Sequence, residues 1–229
     1  MHRPDGPVVA IDGPAGAGKS TVARAVARRL GLLYLDTGAL YRAIGWKALE
    51  ARIDPGDGEC LADLCRRIDL RLERGPDGAN HVWVDGVDVT GAIRTPEVSL
   101  AASRVSGQPC VRGRLLDLQR EAGERGGVIL DGRDIGTVVF PDAELKVFLD
   151  ASPEVRARRR TEEMAARGEA ADPERVLAEV RARDEADSGR ALAPLKQAPD
   201  AVRLDTSGLT LDQVVERVCA LVEAARGPA

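Results

Sequence analysis

Gly13-Pro14-Ala15-Gly16-Ala17-Gly18-Lys19-Ser20-Thr21 has the residue types and spacing of a phosphate-binding loop. It follows the apolar run Val8-Val9-Ala10-Ile11 and precedes a helical pattern that begins near Lys19. A strand that ends in a glycine-rich turn gathers main-chain N–H groups into one concavity, and the helix behind it adds its positive end. Gly13, Gly16 and Gly18 allow positive φ angles or a close approach of backbone to phosphate oxygens. In such a seat Lys19 is expected along the β- and γ-phosphates of a polyphosphate, and the Ser20 hydroxyl on Mg2+. The plain alternative is an ordinary glycine-rich turn between a strand and a helix.

Arginines supply the second group of candidates. Asp36-Thr37-Gly38-Ala39-Leu40-Tyr41-Arg42 and Asp131-Gly132-Arg133-Asp134 each follow an expected strand, where a doubly wound sheet opens its ligand crevice. Arg42 and Arg133 suit forked recognition of a monophosphate, and a surface salt bridge is the alternative for either. Arg156, Arg159 and Arg160 fall at i, i+3 and i+4 of one helix. Their shared face is expected to close over the polyphosphate as a short lid around residues 156–172, with Gly168 near its end; a solvated face paired with Glu162 and Glu163 is the alternative. Arg183, Asp187 and Arg190 share a helical face only if the helix continues past Gly189, and an exposed Arg183–Asp187 ion pair is the bland reading. Trp83 reads as a small-core residue rather than a stacking platform, and Tyr41 is ambiguous between the two.

The elements that must carry these groups alternate as strand and helix. Val8 to Asp12 reads as a buried strand, and Lys19 to Leu30 as a helix capped by Gly31. Leu32 to Leu35 is the second strand, and the next helix starts at Asp36-Thr37-Gly38 with Leu40, Ile44 and Leu49 on its apolar side. From Asp54 the pattern changes to a turn cluster, a short helix with Leu61, Leu64 and Ile68, and alternating stretches at Asp69–Arg74 and His81–Thr90. Gly75-Pro76-Asp77-Gly78 between them signals a hairpin, which predicts a small antiparallel insert. Helical patterns return at Glu97–Ser106 and Val111–Glu124. Strands follow at Val128–Asp131, Leu145–Asp150 and Ala201–Leu204, with helix starts at Ser152-Pro153-Glu154 and Asp172-Pro173-Glu174 and a closing helix over Leu209–Ala225. The expected fold is α/β: a five-stranded parallel sheet flanked by helices, with residues 1–53 and 95–229 as core. Residues 54–94 form the insert, which extends functionally into the helices at 97–124.

Composition sets outer limits. A chain of 229 residues, 44% hydrophobic and 31% charged, is expected to be a soluble globular protein with a sizeable core. Its net charge of −4 argues against nucleic acid as a partner. Most of the 33 cations are arginine, which tracks the codon-like bias that leaves Asn80 as the single asparagine, so the arginine total carries no weight. Asn80 is followed by His81, so the Asn-Lys pair that reads guanine in regulatory GTPases is missing. Cys60, Cys65, Cys110 and Cys219 show no CxxC spacing, which makes zinc an unfavoured cofactor. With no signal peptide in Met1–Pro7 and no uncharged run of membrane-spanning length, the expected location is the cytoplasm.

The phosphate-binding loop, the run from Asp36 to Arg42, Gly91-Ala92-Ile93-Arg94-Thr95, Asp131-Gly132-Arg133-Asp134-Ile135-Gly136-Thr137-Val138-Val139-Phe140-Pro141 and Arg190-Ala191-Leu192-Ala193-Pro194-Leu195 together resemble the bacterial cytidylate kinases across nearly the whole chain. The resemblance implies a nucleoside monophosphate kinase fold and phosphoryl transfer from ATP to CMP or dCMP, with an insert that helps bind the acceptor; Mg2+ with the ATP and a monomeric protein are expected. With that chemistry, Gly13 to Thr21 with Arg156 and Arg160 are expected to hold ATP, and Lys19, Arg133, Arg159 and Arg190 to stabilise the transferring phosphoryl group. By the same resemblance Thr37, Arg42, Arg133 and Arg190 hold the CMP phosphate, Ser103, Arg112 and Asp134 read cytosine, and Arg183 and Asp187 contact the ribose. Ala15 stands where relatives often carry a serine whose hydroxyl helps hold the acceptor phosphate. Thr37 stands where serine is common and keeps the hydroxyl. A P-loop kinase for another acceptor, such as UMP, AMP or shikimate, and an ATP-dependent binding switch are the competing readings.

Overall fold

The structure, a computed structural model, describes residues 3–74 and 80–226. The chain opens with β1 (Val8–Asp12), α1 (Lys19–Leu30), β2 (Leu33–Asp36) and α2 (Thr37–Glu50). It continues through α3 (Gly58–Arg67), β3 (Leu70–Arg74), β4 (Asn80–Val84), β5 (Val87–Asp88), a 3-10 turn (Ala92–Arg94), α4 (Pro96–Val105) and α5 (Pro109–Gly123). It closes with β6 (Val128–Gly132), a π-helical turn (Ile135–Val139), β7 (Leu145–Asp150), α6 (Pro153–Ala166), α7 (Pro173–Ser188), β8 (Val202–Asp205) and α8 (Leu211–Arg226). These elements divide between two compact units. One comprises the residues up to Tyr34 with those from Arg125 onward, the other Leu35–Glu124.

The first unit rests on the five-stranded parallel sheet, in the order β2-β6-β1-β7-β8. Every residue of β1 and β6 is buried, which is why both read as unbroken apolar runs rather than alternating ones: helices cover both faces. α1 and α8 lie together over the sheet, burying Val22, Val26, Val214, Val218 and Val222 against Val9, Ile11, Ile129 and Val147. Registers of Asp12 with Gly132 and with Phe148 bring the C-terminal ends of β1, β6 and β7 side by side. α6 and α7 pack on each other through a much smaller apolar contact of Ala157, Val176 and Val180, and the turn between them is exposed.

The second unit has its own core, in which Leu40, Ile44, Leu61, Leu70, Val82, Ile93 and Leu115 are buried together. α2 and α4 approach closely at Gly45, where a Cβ would come within 2.9 Å of the Ala102 nitrogen. α2 therefore belongs with the insert and not with the parallel sheet, although its sequence follows β2 directly. The antiparallel sheet has three strands, β3-β4-β5, because His81–Thr90 is not one strand. Asp85 and Gly86 take φ values of 50° and 80°, and the Asp-Gly pair turns the chain back tightly after Val84. The expected hairpin turn at Gly75-Pro76-Asp77-Gly78 lies outside the described residues. Trp83 alternates with the buried Val82 and Val84, so it faces away from this core, paired across strands with Arg71 and Asp88.

No helix among the described residues is long and apolar enough to cross a membrane.

Candidate active site

The loop after β1 has the conformation that its glycines allow. Gly13, Gly16 and Gly18 take φ values of 146°, 79° and 87°. A Cβ on Gly13 would also run into the carbonyl oxygen of Leu149 on β7. Lys19, at the start of α1, is 5% exposed, and its Nζ donates to the Pro14 carbonyl at 2.7 Å, curling the side chain over its own loop. Burial pushes the Lys19 ammonium well below its usual range, and Arg133 and Arg183 push the same way, against Asp131 and Asp12. Ala17 is buried under the loop, whereas Thr21 is exposed on the first turn of α1.

Ser20 Oγ donates to Asp131 Oδ2 at 2.6 Å, and the Tyr34 hydroxyl donates to Asp131 Oδ1 at 2.9 Å. Asp131 was absent from the expected site residues. Its signal in the sequence was a lone carboxylate after the apolar run Val128-Ile129-Leu130, and only the pairing of β6 with β1 gives that carboxylate its place next to Ser20.

Three arginines converge on one carboxylate. Arg133 Nε donates to Asp187 Oδ2 at 2.8 Å, and Arg190 pairs with Oδ1 of the same residue. Asp187 is 1% exposed; burial alone would raise its carboxyl, but Arg133 and Arg190 outweigh that and hold it low. The Nε of Arg183 is buried with no hydrogen-bond partner, and burial together with Arg133 lowers this guanidinium to about 10. The helical face expected to join Arg183, Asp187 and Arg190 does not run through all three. α7 stops at Ser188, and Leu195 N–H donating to the Asp187 carbonyl at 2.8 Å folds the following segment back, so Arg190 reaches Asp187 from a turn. Nor is Asp187 half of an exposed pair with Arg183.

The proposed lid arginines are each engaged. Arg156, 3% exposed, donates from Nε to the Ala151 carbonyl at 2.8 Å and from Nη1 to the Ala15 carbonyl of the phosphate-binding loop at 3.1 Å. It also pairs with Asp184 on α7 at 2.6 Å. Arg159 donates to the Thr206 carbonyl at 2.7 Å and to its hydroxyl at 3.1 Å, while Arg160 lies 3.7 Å from Glu179. Asp184 and Thr206 carried no recognisable signal, since both act through partners distant in sequence.

Asp134 is buried directly after Arg133, and its carbonyl accepts from Val138 and Val139 in the π-helical turn. Asp12, the last residue of β1, was also missed. Its carboxylate accepts from the N–H groups of Ile135 and Gly136 at 2.9 and 2.7 Å.

The second unit holds the remaining candidates. Asp36 caps α2 by accepting from Ala39 N–H at 3.0 Å and pairs with Arg42 at 2.8 Å, so the Arg42 fork lies on the first turn beside the buried Thr37. On α5, Arg112 donates to the Ser106 carbonyl at 3.1 Å and lies over the Tyr41 ring, 5.6 Å from its centre. Ser106 Oγ in turn donates to the Ser103 carbonyl at 2.8 Å, which gathers Ser103, Arg112 and Tyr41 around one helix junction. Tyr41 thus serves as a platform for Arg112 while packing, partly buried, against the core.

A family profile described as Cytidylate kinase matches residues 9–224. A cytidylate kinase of Pelotomaculum thermopropionicum (strain DSM 13744 / JCM 10971 / SI) is 50% identical over 220 residues, covering 96% of this chain and 97% of that protein. The chain belongs to the cytidylate kinase family. It is a nucleoside monophosphate kinase, a phosphotransferase. The bifunctional pantoate ligase/cytidylate kinase of Gloeobacter violaceus (strain ATCC 29082 / PCC 7421) is 52% identical over 224 residues, which make up 96% of this chain but 44% of that protein. A gluconokinase from Sinorhizobium meliloti 1021 shares the fold, with a TM-score of 0.50 at 16% identity over 98% of this chain and 95% of that one.

Proposed function

We propose that the chain transfers the γ-phosphoryl group of ATP to CMP or dCMP, giving ADP and CDP or dCDP. The observation that carries this reading is the gathering of Arg133, Arg183 and Arg190 about the single carboxylate of Asp187, with the Arg183 Nε buried and unpartnered and Lys19 close enough to be depressed by two of them. A buried guanidinium nitrogen with no partner, set among other cations, calls for an anion. A phosphate on the acceptor and the polyphosphate of the donor would supply it.

Phosphoryl transfer has a loose transition state with charge spread over the equatorial oxygens, so the protein's work is positioning and charge stabilisation, and the acceptor phosphate needs no strong base. Gly13 to Thr21 are assigned to ATP, with the main-chain N–H groups and Lys19 on the β- and γ-phosphates. To leave its Pro14 carbonyl for a phosphate, Lys19 exchanges a neutral acceptor for a charged one, which favours the ammonium form that burial opposes. Arg159 and Arg160 are assigned to the lid over ATP; Arg156 is assigned to hold the loop from behind through the Ala15 carbonyl. Arg133 and Arg190 are assigned to the transferring group and the acceptor phosphate; Thr37 and Arg42 are assigned to the acceptor phosphate. The unpartnered Arg183 Nε suits a phosphate oxygen, and Asp187 suits a ribose hydroxyl as well as its arginines. Ser103, Arg112 and Asp134 are assigned to cytosine, whose N4 amino group suits a carboxylate acceptor and whose N3 suits a guanidinium donor.

Ser20 Oγ and Asp131 form an all-oxygen donor pair 2.6 Å apart, the hard chemistry that Mg2+ takes when phosphates complete its shell. They would hold Mg2+ brought in with ATP, and that ion would neutralise charge between the β- and γ-phosphates. The enzyme is further read as a cytoplasmic monomer that acts on free nucleotides, in keeping with its net charge of −4.

The test is an ADP-release assay with ATP and Mg2+, offering CMP, dCMP, UMP, AMP and shikimate separately. Turnover confined to CMP and dCMP is expected. Folded, ATP-binding protein that no acceptor stimulates would overturn the kinase reading in favour of a binding switch.

A further inference from the structure

Asp12 joins two parts of the site that are far apart in sequence. It ends β1 and adjoins Gly13, the first glycine of the phosphate-binding loop. Its carboxylate, 5% exposed, receives Ile135 N–H on Oδ1 at 2.9 Å and Gly136 N–H on Oδ2 at 2.7 Å. Those two amides open the π-helical turn that leaves directly from Arg133 and Asp134, and Asp134 closes the same turn by accepting from Val138 at 2.9 Å. The turn also lies close to a neighbouring strand: a Cβ on Gly136 would come within 3.1 Å of the Lys146 stem. Bonds from main-chain N–H groups to an ionised carboxylate are among the stronger hydrogen bonds, and here they are made away from water.

We propose that Asp12 is a positioning residue for the acceptor nucleotide: by holding the two amides that follow Arg133 and Asp134, it fixes where those side chains stand beside the phosphate-binding loop. The proposal rests on the reading that Arg133 and Asp134 contact the acceptor. It adds that their aim is set from β1, through a residue that itself touches neither nucleotide.

Asp12→Asn tests this with almost no change in volume. The amide can accept from one of the two N–H groups but sets its own NH2 against the other, so the turn is released at one point. Misplacement by about 1 Å can cost as much as about 10^2-fold. The expected result is a KM for CMP raised about 10-fold or more and a narrower CMP-to-UMP ratio of kcat/KM, while the Kd for ATP stays within about 3-fold. A folded Asp12→Asn protein with unchanged KM for CMP overturns the proposal, and so does an equal loss for ATP and CMP, which would mean general damage to the loop. Asp134→Ala measured alongside separates the underlying reading: an unchanged CMP-to-UMP ratio there removes Asp134 from base recognition, and the KM for CMP in Asp12→Asn still decides the role of Asp12 through Arg133. If Asp12→Asn does not fold, hydrogen exchange in the wild-type chain decides instead. Slow exchange at the Ile135 and Gly136 amides, slowed further by CMP, is expected; fast exchange at both, or no response to CMP, would count against the clamp.

Discussion

Asp187 Oδ2 accepts from Arg133 Nε at 2.8 Å, tying the end of β6 to α7 across 54 positions of sequence. The same carboxylate takes Arg190, and Arg183 stands by without a partner for its Nε. One carboxylate therefore holds two of the arginines, while the buried Arg183 Nε keeps a hydrogen to give.

Asp187→Asn removes the carboxylate that Arg133 and Arg190 share. Breaking a buried pair from one side costs about 3–5 kcal/mol, because the remaining charges stay buried. The melting temperature without ligand is expected to fall, and CMP should recover part of the loss by returning negative charge. Thermal melts of both proteins with and without CMP check this; equal melting temperatures would show that Asp187 is not what balances the arginines.

Lys19→Ala removes a preorganised cation at the position assigned to the β- and γ-phosphates. Loss of one such donor costs about 10^2-fold or more in kcat. ADP release with ATP and CMP at saturation measures it, and a wild-type rate would exclude Lys19 from the chemistry.

Arg156→Ala and Arg159→Ala should differ in kind. Arg156 is 3% exposed and its removal strands Asp184 and the Ala15 carbonyl, so about 3 kcal/mol of stability is expected to go. Arg159 is half-buried and bonded to Thr206, so its loss should cost nearer 1 kcal/mol while lowering kcat. Denaturant midpoints read alongside kcat distinguish the two, and matching midpoints would refute the separation.

Asp12 makes a pH prediction with a definite sign. Burial raises its carboxyl from 3.8 to about 6, against the bonds from Gly136 and Ile135. Between those values the folded chain holds a proton that the unfolded chain has released, so this group costs stability above about pH 6 and the cost fades as pH falls towards 4. The difference in unfolding free energy between wild type and Asp12→Asn should therefore shift in favour of wild type as pH is lowered from 7 to 4. Chemical denaturation at the two pH values measures it, and a pH-independent difference would mean that Asp12 keeps an ordinary acidity.

What the sequence determined by itself was whatever a few consecutive residues decide. The three glycines of the phosphate-binding loop, the caps supplied by Asp36, Ser152 and Asp172, and the apolar runs of β1 and β6 act over one turn or one strand, and so they were legible. The Asp85-Gly86 turn was equally local: across it the valines step from even positions, Val82 and Val84, to odd ones, Val87 and Val89, so one alternating stretch cannot run through it. Tertiary structure alone decided which charges meet. Ser20 finds Asp131, Arg156 finds Asp184, and Asp12 finds the amides of Ile135 and Gly136 at sequence separations of 111, 28 and 123 to 124. It also decided that Arg190 reaches Asp187 around a turn, and that α2 joins the core of the second unit. The physical reason is the same each time. A hydrogen bond or an ion pair depends on distances of about 3 Å, and those are set by strand register and helix packing, which no local pattern of residue types encodes.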